Sequence, residues 1–259
     1  MKPTITSSCS ELVKGYLSIP EQCFLGKKVF KKLFVENSAL ASSDKKIFQT
    51  DVETINWLYT LKPSTIQIQP YQDETCEYLE IAVLEVNLKD EKKIKRLAEV
   101  IHRSIPYPLV LIFYFQNTFS LSVASKRFSQ SEKETIVVDK FYTTNWLDPK
   151  EFAPEEQAFL QSIKITLLPQ TNFYAFYFAI IERFVALECA RLTGSYKIEL
   201  KANNQQQRRD LLSECHDMEI KIIELKAAIK KETQFNQQVA LNTKIKLLEQ
   251  ELREKTLLL

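Results

Sequence analysis

The sequence predicts an α+β protein: N-terminal helices and a mixed β-sheet with a crossover helix, followed by C-terminal coiled-coil-like helices. Three observations carry that expectation. Between 65 and 147, short apolar runs suited to strands surround one amphipathic helix. From 205 to 259 there is no Gly and no Pro, and apolar residues recur every three or four positions. Hydrophobic residues make up 45% of the chain, with 16 Phe and 10 Tyr, enough for an aromatic-rich core. The expected division is a globular α+β domain over 1–200 and a coiled coil or helical hairpin over 205–259.

Residues 1–64 read as mainly helical. Pro20-Glu21 offers a helix start, and Asp44 or Thr50 a cap for the next helix. Ile47, Phe48, Ile55, Leu58 and Leu61 fall at spacings that suit one helical face on a core, with Pro63 as the stop.

Strands are expected from Ile66 and Ile68 onward. A longer strand over 78–89 is apolar on both faces between Leu79 and Leu84, as an interior strand requires. Asp90 caps a helix running to about Ser104, with Ile94, Leu97, Ala98 and Ile101 buried. Ile105-Pro106-Tyr107-Pro108 breaks it at a rigid corner. A strand over 109–115 turns at Gln116-Asn117-Thr118 and returns over 119–124, and 135–142 adds another. Strand, helix, strand in that order implies a right-handed crossover near the centre of the sheet. Helices follow over 155–165 and from Phe173 to about Leu192, where Gly194 ends the second. Residues 195–204 form a polar joint.

Leu211, Cys215, Met218, Ile222, Leu225 and Ile229 form one seam of the tail, and Leu241, Ile245, Leu248, Leu252 and Leu259 a second. Each such side chain left in water forgoes roughly 1.5–3 kcal/mol of burial. The seams therefore need a cover: each other, a second copy, or another protein. Leu211, Met218, Ile222, Leu225, Ile229, Leu241, Ile245, Leu248 and Leu252 are the candidate partner-binding residues. The twelve residues from Ile229 to Leu241 rotate the stripe by about a third of a turn. One long helix of about 75 Å or two arms folded back both remain open.

Composition excludes several activities. Three Gly in the whole chain argue against the phosphate-cradling loops of nucleotide-binding proteins. A net charge of +2 does not mark a strongly basic nucleic-acid binder. Cys9, Cys23, Cys76, Cys189 and Cys215 are scattered, which suits free thiols in a reducing cytosol. Residues 1–11 are polar and without the apolar run of a secretion signal, so none is expected. The most apolar stretch, 173–181, meets Glu182 and Arg183 well short of the roughly 20 residues of a membrane span. A cytoplasmic protein without a membrane contact is expected.

His102 and His216 have no metal-ligand spacing and read as surface or cap residues, so no metal and no cofactor is implied. No Ser–His–Asp or Cys–His signature surrounds them. The weak candidate for catalysis is the end of the 78–89 strand, where Glu85, Asn87 and Lys89 alternate onto one face. An acid-x-Lys strand followed by a helix and a strand resembles the core of metal-dependent nucleases, where carboxylates hold Mg²⁺ and Lys steadies the scissile phosphate. Asn87 stands where a carboxylate would help, leaving Glu85 with Asp73 or Glu80 at no clear spacing. Basic residues cluster at Lys27, Lys28, Lys31 and Lys32, at Lys92, Lys93, Lys95 and Arg96, and at Lys126 and Arg127. Such runs are solvated helix faces or phosphate contacts, with Lys92, Lys93 and Arg96 the candidates for DNA. Phe30, Phe34 and Phe128 beside them are expected to pack inward.

The chain also resembles a bacterial family catalogued as domain of unknown function 4391, over roughly 20–255. The likeness rests on Lys32-Leu33-Phe34-x-Glu36-Asn37, Asp44-Lys45 leading to Phe48, and Ile55-x-Trp57-x-Tyr59-x-Leu61-x-Pro63-x-Thr65. Ile105-Pro106-Tyr107-Pro108, Trp146, Gln234-Phe235-Asn236, Val239 and Leu241-Asn242 extend it. The resemblance supplies no catalytic residues. It implies a place beside helicases and DNA methyltransferases in restriction or antiphage-defence loci.

The expected function is thus a non-catalytic accessory or scaffold subunit of a bacterial cytosolic complex acting on nucleic acid. Residues 205–259 would bind a protein partner or self-associate, the partner being a helicase or methyltransferase, with at most weak or indirect DNA contact. The alternative is a degenerate or active nuclease-like domain using Glu85 and Lys89.

Overall fold

The computed structural model describes residues 5–37, 40–129 and 136–259. Its strands are β1 (Phe24–Val29), β2 (Val52–Leu61), β3 (Tyr71–Gln72), β4 (Glu77–Tyr78), β5 (Ile81–Leu88), β6 (Leu109–Phe115), β7 (Thr118–Phe128) and β8 (Ile136–Thr143). The helices are α1 (Ile5–Leu17), α2 (Lys31–Asn37), α3 (Ser42–Asp51), α4 (Pro63–Ile66), α5 (Ile94–Ser104), α6 (Pro154–Ser162), α7 (Phe173–Thr193), α8 (Ala202–Ile229) and α9 (Phe235–Thr256). Two compact units divide the chain, Met1–Phe184 and Val185–Leu259.

In the first unit one six-stranded sheet has the order β1-β2-β5-β6-β7-β8, and β3 pairs separately with β4. β5 and β6 run parallel and are joined through α5, while the other neighbours are antiparallel. The expected mixed sheet with a crossover helix is therefore present.

Residues 1–64 carry the helices α1, α2 and α3, but also two strands, β1 and β2, where only helices were expected. The 3₁₀ turn at Glu21–Cys23 leads into β1, and the stretch read as one helix is α3 followed by β2. Ile55, Leu58 and Leu61 are all buried, but a register shift between Trp57 and Tyr59 sets their spacing of three. A bulge inserts one residue and changes which face the following side chains take, so a bulged strand counterfeits a helical stripe. Trp57 and Tyr59 accordingly lie within β2. Ile66 closes the single turn α4 and starts no strand. Asp90 accepts the backbone N–H of Lys92 at 2.8 Å, but α5 begins four residues later, at Ile94.

Alternation along β5 separates the two faces of the sheet. Ala82, Leu84, Val86 and Leu88 join Leu109, Leu111 and Phe113 in a core with Phe34, Phe48 and the apolar side of α5. Phe34 and Phe48 stack with ring centroids 5.2 Å apart. Asp44 anchors this layer. It is buried and receives both Nε (2.9 Å) and Nη2 (2.6 Å) of Arg96, the two-pronged geometry that suits guanidinium to carboxylate. The Arg96 hydrogen bonds hold the Asp44 carboxyl below its usual range against the opposing effect of burial.

On the other face, Ile81, Val83, Val110 and Leu121 meet Leu17 of α1 and Phe176, Ile180 and Phe184 of α7. The gap left among them, about 20 Å³, holds little more than one water and is a packing void rather than a ligand site. The Tyr177 hydroxyl, fully buried, donates to Leu109 O at 2.6 Å and accepts from Ala124 N at 3.1 Å, tying α7 to β6 and β7.

Two bases are buried near the Ile105–Pro108 corner. The Lys126 ammonium donates to Ile105 O and Tyr107 O, so it fixes a segment that proline has deprived of backbone donors. Burial pushes the Lys126 pKa down to about 7. His102, expected at the surface, is 1% exposed. Its Nε2 lies 3.2 Å from Ser122 Oγ, which itself donates to Tyr142 O at 2.9 Å. Nε2 must then carry the proton, leaving Nδ1 as an acceptor with no partner among the described residues. Burial, with the Lys126 charge adding to it, holds the His102 pKa well below the ordinary imidazole range.

The second unit settles the geometry of the tail. α8 and α9 form a hairpin, broken at 230–234 within the polar run between the seams. Ile222, Leu225 and Ile245 are buried, with Ile229, Leu241, Leu248 and Leu252 packed around them. Cross-helix ion pairs Lys226–Glu249 (2.7 Å) and Lys255–Glu214 match an antiparallel pair. The two seams thus cover each other. Leu211 and Met218 are half-buried, while Ile220, Ile223, Leu247, Phe235 and Val239 remain exposed. Among the described residues no helix is long and apolar enough to cross a membrane.

Candidate functional site

The face of β5 that begins apolar at Ile81 and Val83 turns polar at Glu85 and Asn87, as its alternation dictates. Pairing then adds residues distant in sequence. Asn56 of β2 stands opposite Glu85, Thr54 opposite Asn87, and Tyr114 of β6 beside Asn87 on the other side.

Glu85 is the centre of this group. Ser10 Oγ of α1 donates to its Oε2 at 3.2 Å, and Asn56 Nδ2 donates to Oε1 at 3.1 Å. Asn87 Nδ2 reaches Oε1 at 3.5 Å and donates to Thr54 Oγ1 at 2.8 Å. The Tyr114 hydroxyl, buried beside Ser10, is pushed well above the usual phenol range, first by burial and then by the Glu85 charge.

Lys89 does not join them. It lies past the end of β5, exposed, with its backbone N–H on Asp51 O at 2.7 Å. Asp73 is held in its own turn by Tyr71, Thr75 and Cys76. Glu80 pairs with Lys62 at 3.5 Å. Among the described residues no three of His, Cys, Asp and Glu are placed to hold a metal ion. A hard divalent cation takes its oxygen ligands chiefly from carboxylates. The donor set around Glu85 is instead two carboxamides and a serine hydroxyl, whose hydrogen bonds already engage both carboxylate oxygens. These residues do not fit the metal centre of a nuclease.

The row continues to the sheet edge. Lys28 of β1 stands opposite Asn56, so Lys28, Asn56 and Glu85 occupy one line on the same face. A register shift between Phe24 and Lys27 sets this alignment. Gly26, at φ +61°, makes the bulge, and an added Cβ there would meet the Phe24 ring at 2.7 Å. Glycine is the residue that tolerates both conditions.

The other candidates are dispersed. Lys92 and Lys93 are exposed at the start of α5, whereas Arg96 is committed to Asp44 and to Glu99 at 2.6 Å. His216 is exposed, 4.0 Å from Glu219. All five cysteines are buried and unlinked, and burial raises the pKa of each, Cys9 to about 11. None is poised as a thiolate nucleophile. Phe34 packs inward as expected, but Phe30 is 65% exposed.

Ser10, Thr54, Asn56 and Tyr114 were missed by sequence reasoning, and Lys28 was read only as part of a basic run. Only strand register and the seating of α1 bring them to Glu85, and no local signal marks them.

A family model described as Domain of unknown function (DUF4391) matches residues 17–252, nearly the whole chain. Neither the curated proteins nor the solved structures provide a match.

Proposed function

Since the chain belongs to this family of unknown function, its role has to rest on the site, and we propose a non-catalytic accessory subunit of a bacterial cytosolic complex acting on nucleic acid, of the restriction or antiphage-defence kind. One observation supports the non-catalytic part: both carboxylate oxygens of Glu85 accept hydrogen bonds, from Ser10, Asn56 and Asn87, and among the described residues no three His, Cys, Asp or Glu side chains are placed to hold a metal ion. Such an arrangement orders a strand end, and the lysine that shares its row, Lys28, lies two strands away at the sheet edge.

The accessory part is supported by the tail. The hairpin buries its seams in cis and still presents Ile220, Ile223 and Leu247 on its outside, with Phe235 and Val239 near its bend. Exposed apolar side chains on a charged helix pair suit a protein partner, for which a helicase or a DNA methyltransferase is the proposed class. Leu211 and Met218 would border that contact.

Affinity purification of the tagged full-length chain from its native host tests the assignment. A nucleic-acid enzyme should co-purify and be lost with Ile223→Glu plus Leu247→Glu. Recovery of the chain alone, or with partners indifferent to these changes, contradicts it.

A second reading, a degenerate nuclease-like domain, is favoured by one observation. Glu85 lies on a strand followed by α5 and the parallel β6, as in the strand–helix–strand core of metal-dependent nucleases. Asn56 and Asn87 would then mark positions where metal-binding chemistry has been lost, which leads to the same non-catalytic role.

A further inference from the structure

We propose that the β1–α2 edge of the sheet is a contact surface for single-stranded nucleic acid, with phosphates on Lys27, Lys28 and Lys32 and a base on Phe30. This deepens the accessory reading above and rests on it.

From Phe24 to Val35 the chain has four lysines and no acidic residue. Lys31 is tied down, its Nζ donating to Val52 O at 2.7 Å. That bond fixes the start of α2 and leaves Lys27, Lys28 and Lys32 exposed. Lys32 is paired with Glu36 at 3.4 Å, an exposed pair worth little in water. Phe30 is 65% and Leu33 52% exposed within this basic stretch, although Phe34 of the same helix is buried.

A large aromatic ring held in solvent among exposed cations is the pairing used for unstacked bases: the ring takes a base face and the cations take the backbone. A duplex has no free base faces to offer, so the chemistry favours single strands. An acidic protein surface would satisfy the charges but leave no role for an exposed ring among them. The bulge at Gly26 has a second consequence here. It interrupts the pairing of β1 and puts Lys28 on the Glu85 face with Lys27 on the opposite one, so the edge presents charge on both sides.

The test uses fluorescence anisotropy on the full chain. Its probes are a labelled oligothymidine longer than a typical site of about 4–16 nucleotides, a duplex of equal length, and phosphatidylserine vesicles. The single strand should bind more tightly than the duplex. Lys27→Glu with Lys28→Glu should weaken it at least about tenfold and lower the salt dependence by about one counterion per lysine removed. Phe30→Ala should weaken it by about tenfold with the salt dependence unchanged. All these positions are exposed, so unaltered melting curves identify folded variants. Equal binding by wild type and variants overturns the edge assignment while leaving a nucleic-acid role intact. Vesicle binding that is lost in the same variants, without binding to the oligomer, assigns the edge to anionic lipid and overturns it. No binding to any probe overturns the edge contact alone, because co-purification with an enzyme partner tests the accessory role independently.

Discussion

Phe48→Ala is expected to destabilise the first unit by about 3–5 kcal/mol, the range for removing a large aromatic side chain from a packed interior. Phe48 is fully buried, stacks on Phe34, and belongs to the core shared by three helices and the sheet. Its removal deletes the contact that holds α3 over β2 and β5, and the surrounding strands cannot close the space. At about 2–4 °C per kcal/mol for a unit of this size, the midpoint should fall by on the order of 10 °C in a thermal melt followed by near-UV circular dichroism. Phe30→Ala is the matching control, since its exposed ring should leave the midpoint within about 1–2 °C. Equal effects of the two substitutions would show that the core is misplaced.

The second large effect is a pH dependence set by Lys126 and His102. The Lys126 pKa falls from 10.5 in the unfolded chain to about 7 in the folded one. Between those values the unfolded state binds the proton and the folded state does not, so stability rises as pH increases through that window and is lost as pH falls back to about 7. The full shift corresponds to at most about 5 kcal/mol. The real gain is smaller, because the Ile105 and Tyr107 carbonyls also favour the charged amine. His102 acts the same way lower down: its folded pKa is depressed below 6.5, so the stability it confers is lost as pH drops beneath that value. Urea denaturation at pH 7 and pH 9.5 should show wild type gaining about 1–3 kcal/mol relative to Lys126→Met. A constant difference across that range would mean that Lys126 is solvated or stays charged.

Several parts of this structure were legible from residues alone. From β5 to β8 the strands, the crossover helix and the Ile105–Pro108 corner fall close to where apolar runs, amphipathicity and proline put them, because the interior strands are continuously apolar and the helix buries one well-defined face. β1 was not legible. As an edge strand exposed along nearly its whole length, it carries no period of two and is a strand only through pairing with β2. β2 was disguised by its bulge, which spaced Ile55, Leu58 and Leu61 like a helix face. The two seams and the polar run between them were visible in the tail. Whether it folded back depended on the phase change from Ile229 to Leu241, and sequence left that open.

The candidate site divides in the same way. Glu85 and Asn87 lie on one strand, and alternation put them on one face. Asn56 and Ser10 come from 29 and 75 residues away, through register and the seating of α1. Lys89, which alternation also assigned to that face, lies one residue past the end of β5 with its side chain exposed. The same nonlocal pairing that replaces a carboxylate set with amides is what moves the reading from cleavage to assembly.

A non-catalytic role requires Glu85 to be an ordered acceptor rather than a metal ligand. Incubating the purified full-length chain with supercoiled plasmid and with single-stranded DNA in Mg²⁺ or Mn²⁺ measures this. Both substrates should remain intact, with wild type and Glu85→Ala indistinguishable. Cleavage by the wild type that disappears in Glu85→Ala would contradict it.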